Sequence, residues 1–380
     1  MLLSQGEEPA RTADPATRRT VADRLGGASG GRASDGGASD GGASDASAAG
    51  HAPAAASAER SRAAERRADR RAERITGGAR ELEQRLADLL RGGLASAERS
   101  DHTLWEETAA RMVDAQAPGL AGRVRELGSV PASGPGWPAR LLEECALLHL
   151  LDTAWLGLDG LPAPLAATVR TRVGLTASAE GPAVRDRWLV LAQHDAPDGR
   201  IVTRRIWLYG GESGQTALLL SFGAAGRAPA LSLPVGSVID AEVTPYPGGG
   251  RLRAELGQRF GDPAPAASPP TGGTTADAVA AYGRALRDDP WLDAWPAVLR
   301  EVIPAPSGDG WRLISSVDGS ALPVAPSASA RPGLWRLVAL SGGEPLTVFG
   351  ECGHRGFEPL AAWFPELADG IGAGGIVTLV

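Results

Sequence analysis

The sequence predicts an α+β fold with an N-terminal helical domain, an antiparallel β module (a sheet or partly open barrel) and a C-terminal α+β module. Apolar residues recur every three or four positions between about residues 60 and 175, as on amphipathic helices. Between residues 186 and 256 they recur at every second position, as in strands. The predicted segments are a disordered Gly/Ala/Ser/Asp-rich linker (1–57), the helical domain (58–177), the β module (184–260), a Pro-rich linker (261–273) and the C-terminal module (274–380).

All 38 basic residues of the 380-residue chain are arginines, and 45 acidic residues give it a net charge of −7. Because the chain has no lysine, a P-loop, a Schiff base and a kinase-type catalytic lysine are excluded. The many arginines accompany many glycines and alanines, as a GC-rich coding bias would produce. In an acidic chain they are weak evidence for nucleic-acid binding.

The cysteine content and the hydropathy predict a soluble cytoplasmic protein. Cys145 and Cys352 lie far apart in sequence, so we expect two free, buried thiols in a reducing compartment. The first residues lack a basic segment followed by an apolar one, and no stretch approaches the ~18 apolar residues that span a bilayer. A membrane is therefore not an expected partner.

The helical domain is predicted to begin with an arginine-rich helix over residues 58–74, followed after Gly77-Gly78 by a leucine stripe. The predicted ion pairs along this helix are Arg62 with Glu65, Arg66 with Asp69, and Arg70 with Glu73. A solvated helix face is the main interpretation, and Arg62, Arg66 and Arg70 are alternative candidates for nucleic-acid contact. Further helices are predicted over 104–115, 120–127, 138–155 and 162–173.

The β module is predicted to contain strands over 186–194, 201–209, 216–222, 237–244 and 252–256. The last two form a hairpin, because Pro247 and three glycines separate them. Arg204 and Arg205 precede aromatic residues on the second strand and are further candidates for nucleic-acid contact. The favoured alternative is an ordinary strand on which an arginine packs over Trp207.

The C-terminal module is expected to combine helices with an antiparallel sheet. Thr275 is predicted to cap a first helix, and Asp289-Pro290 is predicted to start a second helix. The apolar face of that second helix would carry Trp291, Trp295, Val298, Leu299 and Val302. The remaining predicted elements are strands at 311–317, 334–340, 345–351 and 376–380 and a short helix at 358–364.

Few residues of the chain can perform chemistry. Cys352 and His354 form a Cys-x-His pair, which is a weak candidate for metal binding because zinc normally takes four protein ligands. The same pair as nucleophile and base would define an enzyme, which is the weaker alternative since no third orienting residue can be named. His149 is expected to be a satisfied core histidine.

Residues 104–127 (LWEETAARMVDAQAPGLAGRVREL), with the arginine-rich helix and the leucine stripe before them, resemble actinobacterial SWIM zinc finger family proteins downstream of the metal motif. Residues 141–155 and 204–210 are similar too. The resemblance implies protein association and DNA binding, with zinc held by Cys-x-Cys and Cys-x-His. This chain lacks that motif, so we expect no cofactor in it, and we hypothesise that it starts just after the motif.

The combined expectation is a non-enzymatic, intracellular interaction or scaffold protein that works through contact surfaces. A protein partner is expected, and the family resemblance suggests an AAA-type ATPase. Association with nucleic acid is the alternative, and an enzyme that depends on Cys352 and His354 is the second alternative.

Overall fold

The computed structural model describes residues 52–94, 97, 102–198, 201–224, 226–266, 268–308, 310–363 and 375–380. Most of the predicted linker 1–57 therefore lies outside the described residues. The chain divides into two compact units, Met1–Ser61 and Arg62–Val380. Of the first unit only the start of a helix is described, and every contact given below lies within the second unit.

The described residues contain eight α-helices. They are α1 (Ala52–Gly92), α2 (His102–Asp114), α3 (Pro118–Ser129), α4 (Trp137–Leu156), α5 (Ala163–Val173), α6 (Thr275–Asp288), α7 (Pro326–Ser329) and α8 (Pro332–Ser341). Short 3-10 turns occupy Val130–Ser133, Leu158–Gly160 and Gly249–Arg251. The ends of α2 to α5 lie within two residues of those predicted from the sequence.

Twelve strands are described. They are β1 (Val184–Asp198), β2 (Ile201–Gly210), β3 (Thr216–Ala224), β4 (Ser237–Pro245), β5 (Arg253–Arg259), β6 (Ala264–Pro265), β7 (Ala294–Ser307), β8 (Gly310–Ser315), β9 (Ala321–Pro323), β10 (Leu346–Gly353), β11 (Gly356–Trp363) and β12 (Ile376–Thr378). The α+β fold class and the order of helical region, β module and C-terminal α+β region are as predicted.

Helices α1 to α5 enclose one apolar core. The leucine stripe of α1 supplies Leu82 and Leu86, and α4 is the central helix, with Leu141, Leu148 and Leu151 fully buried. Helix α1 runs without a break through Gly77-Gly78. Gly78 lets the end of α2 approach closely, since a Cβ atom on Gly78 would lie 2.6 Å from that of Ala115.

Strands β1 to β5 close into a small barrel. The order is β1-β2-β3-β5-β4, and β1 also pairs with β4, so the first strand joins both ends of the sheet. The predicted hairpin of β4 and β5 is present. One contact departs from the antiparallel prediction, because β3 and β5 pair in parallel over two residues. Trp188, Ile206 and Leu219 fill the interior. Within the predicted Pro-rich linker, β6 adds to β4.

The C-terminal strands form a second, antiparallel sheet in the order β12-β11-β10-β7-β8-β9. Helices α6 and α8 pack against it through Tyr282, Leu334 and Leu337. Helix α6 begins with a capping box in which Thr274, not Thr275, accepts from the backbone N–H of Asp277.

The predicted second helix from Asp289-Pro290 is wrong, because the residues from Ala294 onward form strand β7. A β-bulge caused the misleading spacing. Leu299 and Val302 oppose Val348 and Leu346 of β10, so β7 carries one extra residue, and Glu301 has a φ of 50°. The bulge places residues three apart on the same face, where Leu299 and Val302 are both fully buried, and this spacing resembles that of a helix.

Two further elements differ from the prediction. The strand predicted at 334–340 is helix α8, which starts with Pro332 in its first turn and ends at Gly342 in the left-handed conformation. The helix predicted at 358–364 is strand β11 for its described residues, and Phe364 lies outside them. Strand β11 is apolar at nearly every position because both of its faces are covered, so no alternation marked it as a strand.

Candidate functional site

The helical bundle, the barrel and the C-terminal sheet meet around a cleft with a volume of about 1120 Å³. Helices α3 and α5 line one side, β2, β3 and the β4–β5 connection line the second, and the β10–β11 turn lines the third. Large concave sites at the junction of structural units are the usual places for binding. We therefore take this cleft as the candidate site.

Side chains from the outer face of the barrel form the apolar part of the cleft. Leu218 and Leu220 of β3 stand opposite Trp207 and Arg205 of β2 in the strand register. Because alternate residues of a strand share a face, these four side chains lie on one surface. The Arg205 guanidinium lies 5.7 Å from the centre of the Trp207 ring, as in the ordinary-strand interpretation of this segment.

Glu351 of β10 holds this surface against the C-terminal sheet. Its carboxylate accepts hydrogen bonds from Arg205 Nη2 at 3.2 Å and from Trp207 Nε1 at 2.9 Å. Glu358, the cross-strand neighbour of Glu351, is paired with Arg331. The charges on this wall of the cleft are thus compensated, which fixes the positions of the side chains.

His194 of β1 lies beside this charged group. Burial lowers the pKa of His194, and Glu351 opposes the shift by raising it. The Nδ1 atom of His194 is buried without a hydrogen-bond partner. A neutral imidazole is therefore the favoured form at neutral pH.

The helical bundle is joined to the C-terminal module along the same cleft. Arg172 of α5 donates through Nε to both carboxylate oxygens of Asp289 at 3.1 and 3.2 Å. Trp291, two residues further on, is buried in the core of the bundle and donates through Nε1 to the backbone oxygen of Leu147 at 2.9 Å. Asp289, which was predicted to cap a helix, instead anchors the bundle.

The predicted pair Cys352 and His354 does not converge on one point. Cys352 is buried in the apolar cluster beneath the C-terminal sheet, and burial raises the pKa of its thiol to about 11. His354 is exposed in the β10–β11 turn, where its Nε2 lies 3.3 Å from Arg355 Nε. Among the described residues no three His, Cys, Asp or Glu side chains come together to hold a metal, so these residues do not fit zinc.

The arginines predicted as nucleic-acid contacts fall into two groups. Arg204 forms a two-point ion pair with Asp195, and Arg205 is paired with Glu351, so both are neutralised. Arg62, Arg66 and Arg70 are exposed on α1. In this described part of α1, their predicted pairs with the following acidic residues do not form.

Sequence reasoning missed three residues that line the cleft: Glu351, Asp289 and, in the β4–β5 connection, Tyr246. Glu351 is 146 residues from Arg205 and Asp289 is 117 from Arg172, so no local pattern connects the partners. His149 was also misjudged. It is an exposed residue whose Nδ1 lies 2.6 Å from Glu83, rather than a core histidine.

Residues 70–173 match the family model described as the SWIM-associated four-helix bundle domain. The match begins within α1 and ends at the last residue of α5, so it covers the bundle and confirms the resemblance predicted from the sequence over this segment. No curated protein and no solved structure matches the chain. None of the described helices combines the length and apolar character needed to cross a membrane.

Proposed function

We propose that the chain is a non-enzymatic interaction protein that binds a protein partner in the central cleft. The observation that carries this proposal is the cleft itself, which three parts of the chain build together and whose side chains are held in place by ion pairs. Preformed concave surfaces of this kind need little reorganisation on binding.

The state of the thiols supports a role without chemistry. Burial, assisted by Glu144, raises the pKa of Cys145 to about 11, the same value that burial gives Cys352. The thiolate is the reactive form, so neither cysteine is activated at neutral pH. Glu351 and Asp289 are occupied by arginines and contribute to the shape of the cleft.

The family resemblance adds expectations about the setting of this role. It implies a protein partner, for which an AAA-type ATPase is the candidate, and the two free buried thiols favour a cytoplasmic setting. The SWIM-associated bundle supports a role in association, because it contributes one wall of the cleft through α3 and α5. Zinc is expected in relatives that carry the metal motif, and no role in this chain depends on it.

In-cell photo-crosslinking tests the proposal. A benzophenone amino acid is placed at Leu220, which lines the cleft, and in a matched control at Val279, which is exposed on α6. We expect one discrete crosslinked adduct from position 220 and none from position 279. The same set of crosslinked products from both positions, or no adduct from position 220, would contradict binding of a partner in the cleft.

Nucleic-acid association through α1 is a second candidate, favoured by the charge distribution of residues 62–74. At 100° per residue, the arginines at 62, 66, 67, 70, 71 and 74 fall on one half of the helix, and the acidic residues at 65 and 69 lie on the other half, while Glu73 lies at the edge of the arginine half. Residues 64–70 are exposed and carry no large apolar side chain. A membrane surface would require an apolar face, so phosphate groups are the better match.

Salt-dependent binding of duplex DNA tests this candidate. The triple variant R62A/R66A/R70A should weaken binding and lower the slope of log K against log salt by roughly 0.9 for each lost phosphate contact. The control R284A/R287A/R312A removes the same charge from exposed arginines elsewhere in the chain and should change little. Equal losses in both variants would show that net charge alone drives the retention.

A further inference from the structure

The closed order of the barrel suggests a second binding surface beside the cleft. Strand β1 pairs with both β2 and β4, and β3 pairs with β5 in parallel, so five strands close in the order β1-β2-β3-β5-β4. This is the strand order of OB-fold barrels, five-stranded Greek-key barrels that bind oligonucleotides or oligosaccharides on strands 2 and 3 and on the loops between strands 1 and 2 and between 4 and 5. A fold alone does not give a function, so the surface must be judged from its own residues.

The outer face of β3 carries an exposed aromatic side chain. Phe222 is 57% exposed and stands opposite Thr203 of β2. It continues the row of Leu218 and Leu220 beyond the part that the C-terminal sheet covers. An exposed phenylalanine on a strand of this face is a platform on which a base can stack, because every base offers a π-face.

The β4–β5 connection adds a second stacking element. The Arg253 guanidinium lies 4.6 Å from the centre of the Tyr246 ring. The backbone N–H of Tyr246 donates to the Arg253 oxygen at 2.8 Å, which fixes the pair at the end of the hairpin. An arginine stacked on an aromatic ring presents a cation and a flat surface to the same ligand.

A small cavity separates this pair from β3. Strands β3 and β5 pair only at Leu218–Leu219 with Arg253–Ala254 and then diverge. The resulting space has a volume of about 290 Å³, with Leu219, Leu231 and Leu256 as apolar lining and Glu255 as a hydrogen-bonding group. Leu220, Tyr246 and Arg253 line both this space and the large cleft, so the two adjoin.

We propose that this barrel surface, formed by Phe222, Leu220, Tyr246 and Arg253, binds single-stranded nucleic acid, with one base in the cavity between β3 and β5. Stacking supplies most of the affinity. Arg204 and Arg205 are already neutralised by Asp195 and Glu351, which leaves Arg253 and the exposed Arg227 for phosphate contact. A shallow salt dependence follows from so few contacts. The proposal does not depend on a partner in the cleft or on α1.

Fluorescence anisotropy of the full chain with labelled oligothymidylate and oligouridylate of about 15 nucleotides tests the proposal. We expect saturable binding that F222A and Y246A each weaken at least about fivefold, as loss of one stacked base implies. V279A, a matched loss of an exposed apolar side chain on α6, should leave the affinity unchanged. The α1 variant R62A/R66A/R70A should also bind as the unmodified chain does, which separates this surface from that of α1.

Three outcomes would overturn the proposal. They are binding no tighter than about 1 µM, the tight end of non-specific contact, equal affinity of F222A, Y246A and the unmodified chain, and displacement of the label by an oligosaccharide mixture but not by unlabelled single strands. F222A changes an exposed side chain, so it keeps the test valid if Y246A unfolds. Thermal unfolding of each variant checks this directly.

Discussion

Asp152 lies on α4 in the core of the helical bundle, and both of its carboxylate oxygens are buried without a hydrogen-bond partner. Burial, with a smaller contribution from Glu83, raises the pKa of Asp152 to about 8. The carboxyl group is therefore protonated at neutral pH, since an unpaired charge in an apolar core is costly.

Asp152 makes the bundle less stable as the pH rises. The folded state holds this proton up to about pH 8, whereas the unfolded chain releases it near pH 3.8. Between these values the free energy of unfolding falls by about 1.4 kcal/mol for each pH unit, and above pH 8 the loss stops. The variant D152N should lack this slope in urea unfolding, so its stability relative to the unmodified chain rises up to pH 8. If the free energies of unfolding of D152N and the unmodified chain changed in parallel with pH, the assignment of this slope to Asp152 would be contradicted.

Glu351 should be a sensitive charged residue of the cleft, because its side chain is only 18% exposed. In E351Q the amide can still accept from Trp207 Nε1, but Arg205 loses its ion pair, and we expect a loss of about 1 to 3 kcal/mol in the free energy of unfolding. E358Q is the matched control, because the Glu358–Arg331 pair is more exposed and should contribute about 0 to 1 kcal/mol. Equal losses in urea unfolding would argue against a special role for Glu351.

At the residue scale, the sequence predicts which neighbouring side chains share a strand face, but it does not predict their partners from distant segments. Arg205 over Trp207 follows from strand alternation alone. Glu351, which accepts hydrogen bonds from both of these residues, could not be predicted. Its contact with Arg205 depends on how the barrel packs against a sheet formed more than a hundred residues later.

At the scale of elements, two neighbouring glycines of α1 should respond in opposite directions to the same substitution. A Cβ atom at Gly77 meets nothing within 4 Å, so G77A should stabilise the helix by about 1 kcal/mol. A Cβ atom at Gly78 would overlap Ala115, the residue that follows α2, so G78A should destabilise the bundle by about 1 to 3 kcal/mol despite the better helix propensity. Thermal unfolding measures both, and equal shifts would contradict the close crossing of α1 and α2.

The same scale shows where sequence periodicity succeeds. Helices α2 to α5 and strand β4 were predicted nearly to their ends, because burial in each follows the regular period of the element. The errors fall where this condition fails. Strand β7 contains a bulge that moves residues three apart onto one face, and β11 is buried on both faces. Local sequence cannot reveal either feature, since both depend on neighbouring strands.

At the scale of the molecule, Trp291 joins the bundle to the C-terminal module. Its side chain belongs to the core of the bundle, although it lies only three residues before β7, which belongs to the sheet. W291A should cost about 3 to 5 kcal/mol and separate the unfolding of the two parts into distinct transitions. Urea unfolding followed by circular dichroism and fluorescence measures this.

The control W335A removes an indole that is 61% exposed and should cost under about 1.5 kcal/mol. A single, unshifted transition in W291A would contradict the connection.

The cleft is also a property of the whole molecule, because α5, the β4–β5 connection and the β10–β11 turn reach it from distant parts of the chain. The sequence predicts the three parts but not their junction. It does predict the shortage of reactive groups, on which the proposed binding role depends.

Thiol labelling tests the central claim, that the chain works by contact rather than by chemistry, most directly. The folded chain and the urea-unfolded chain are treated with iodoacetamide at pH 7.5, and modification of Cys145 and Cys352 is followed by mass spectrometry. Because burial raises both pKa values to about 11, we expect both thiols to react only in the unfolded chain. Rapid modification of Cys352 in the folded chain, with a midpoint below pH 8, would contradict the account.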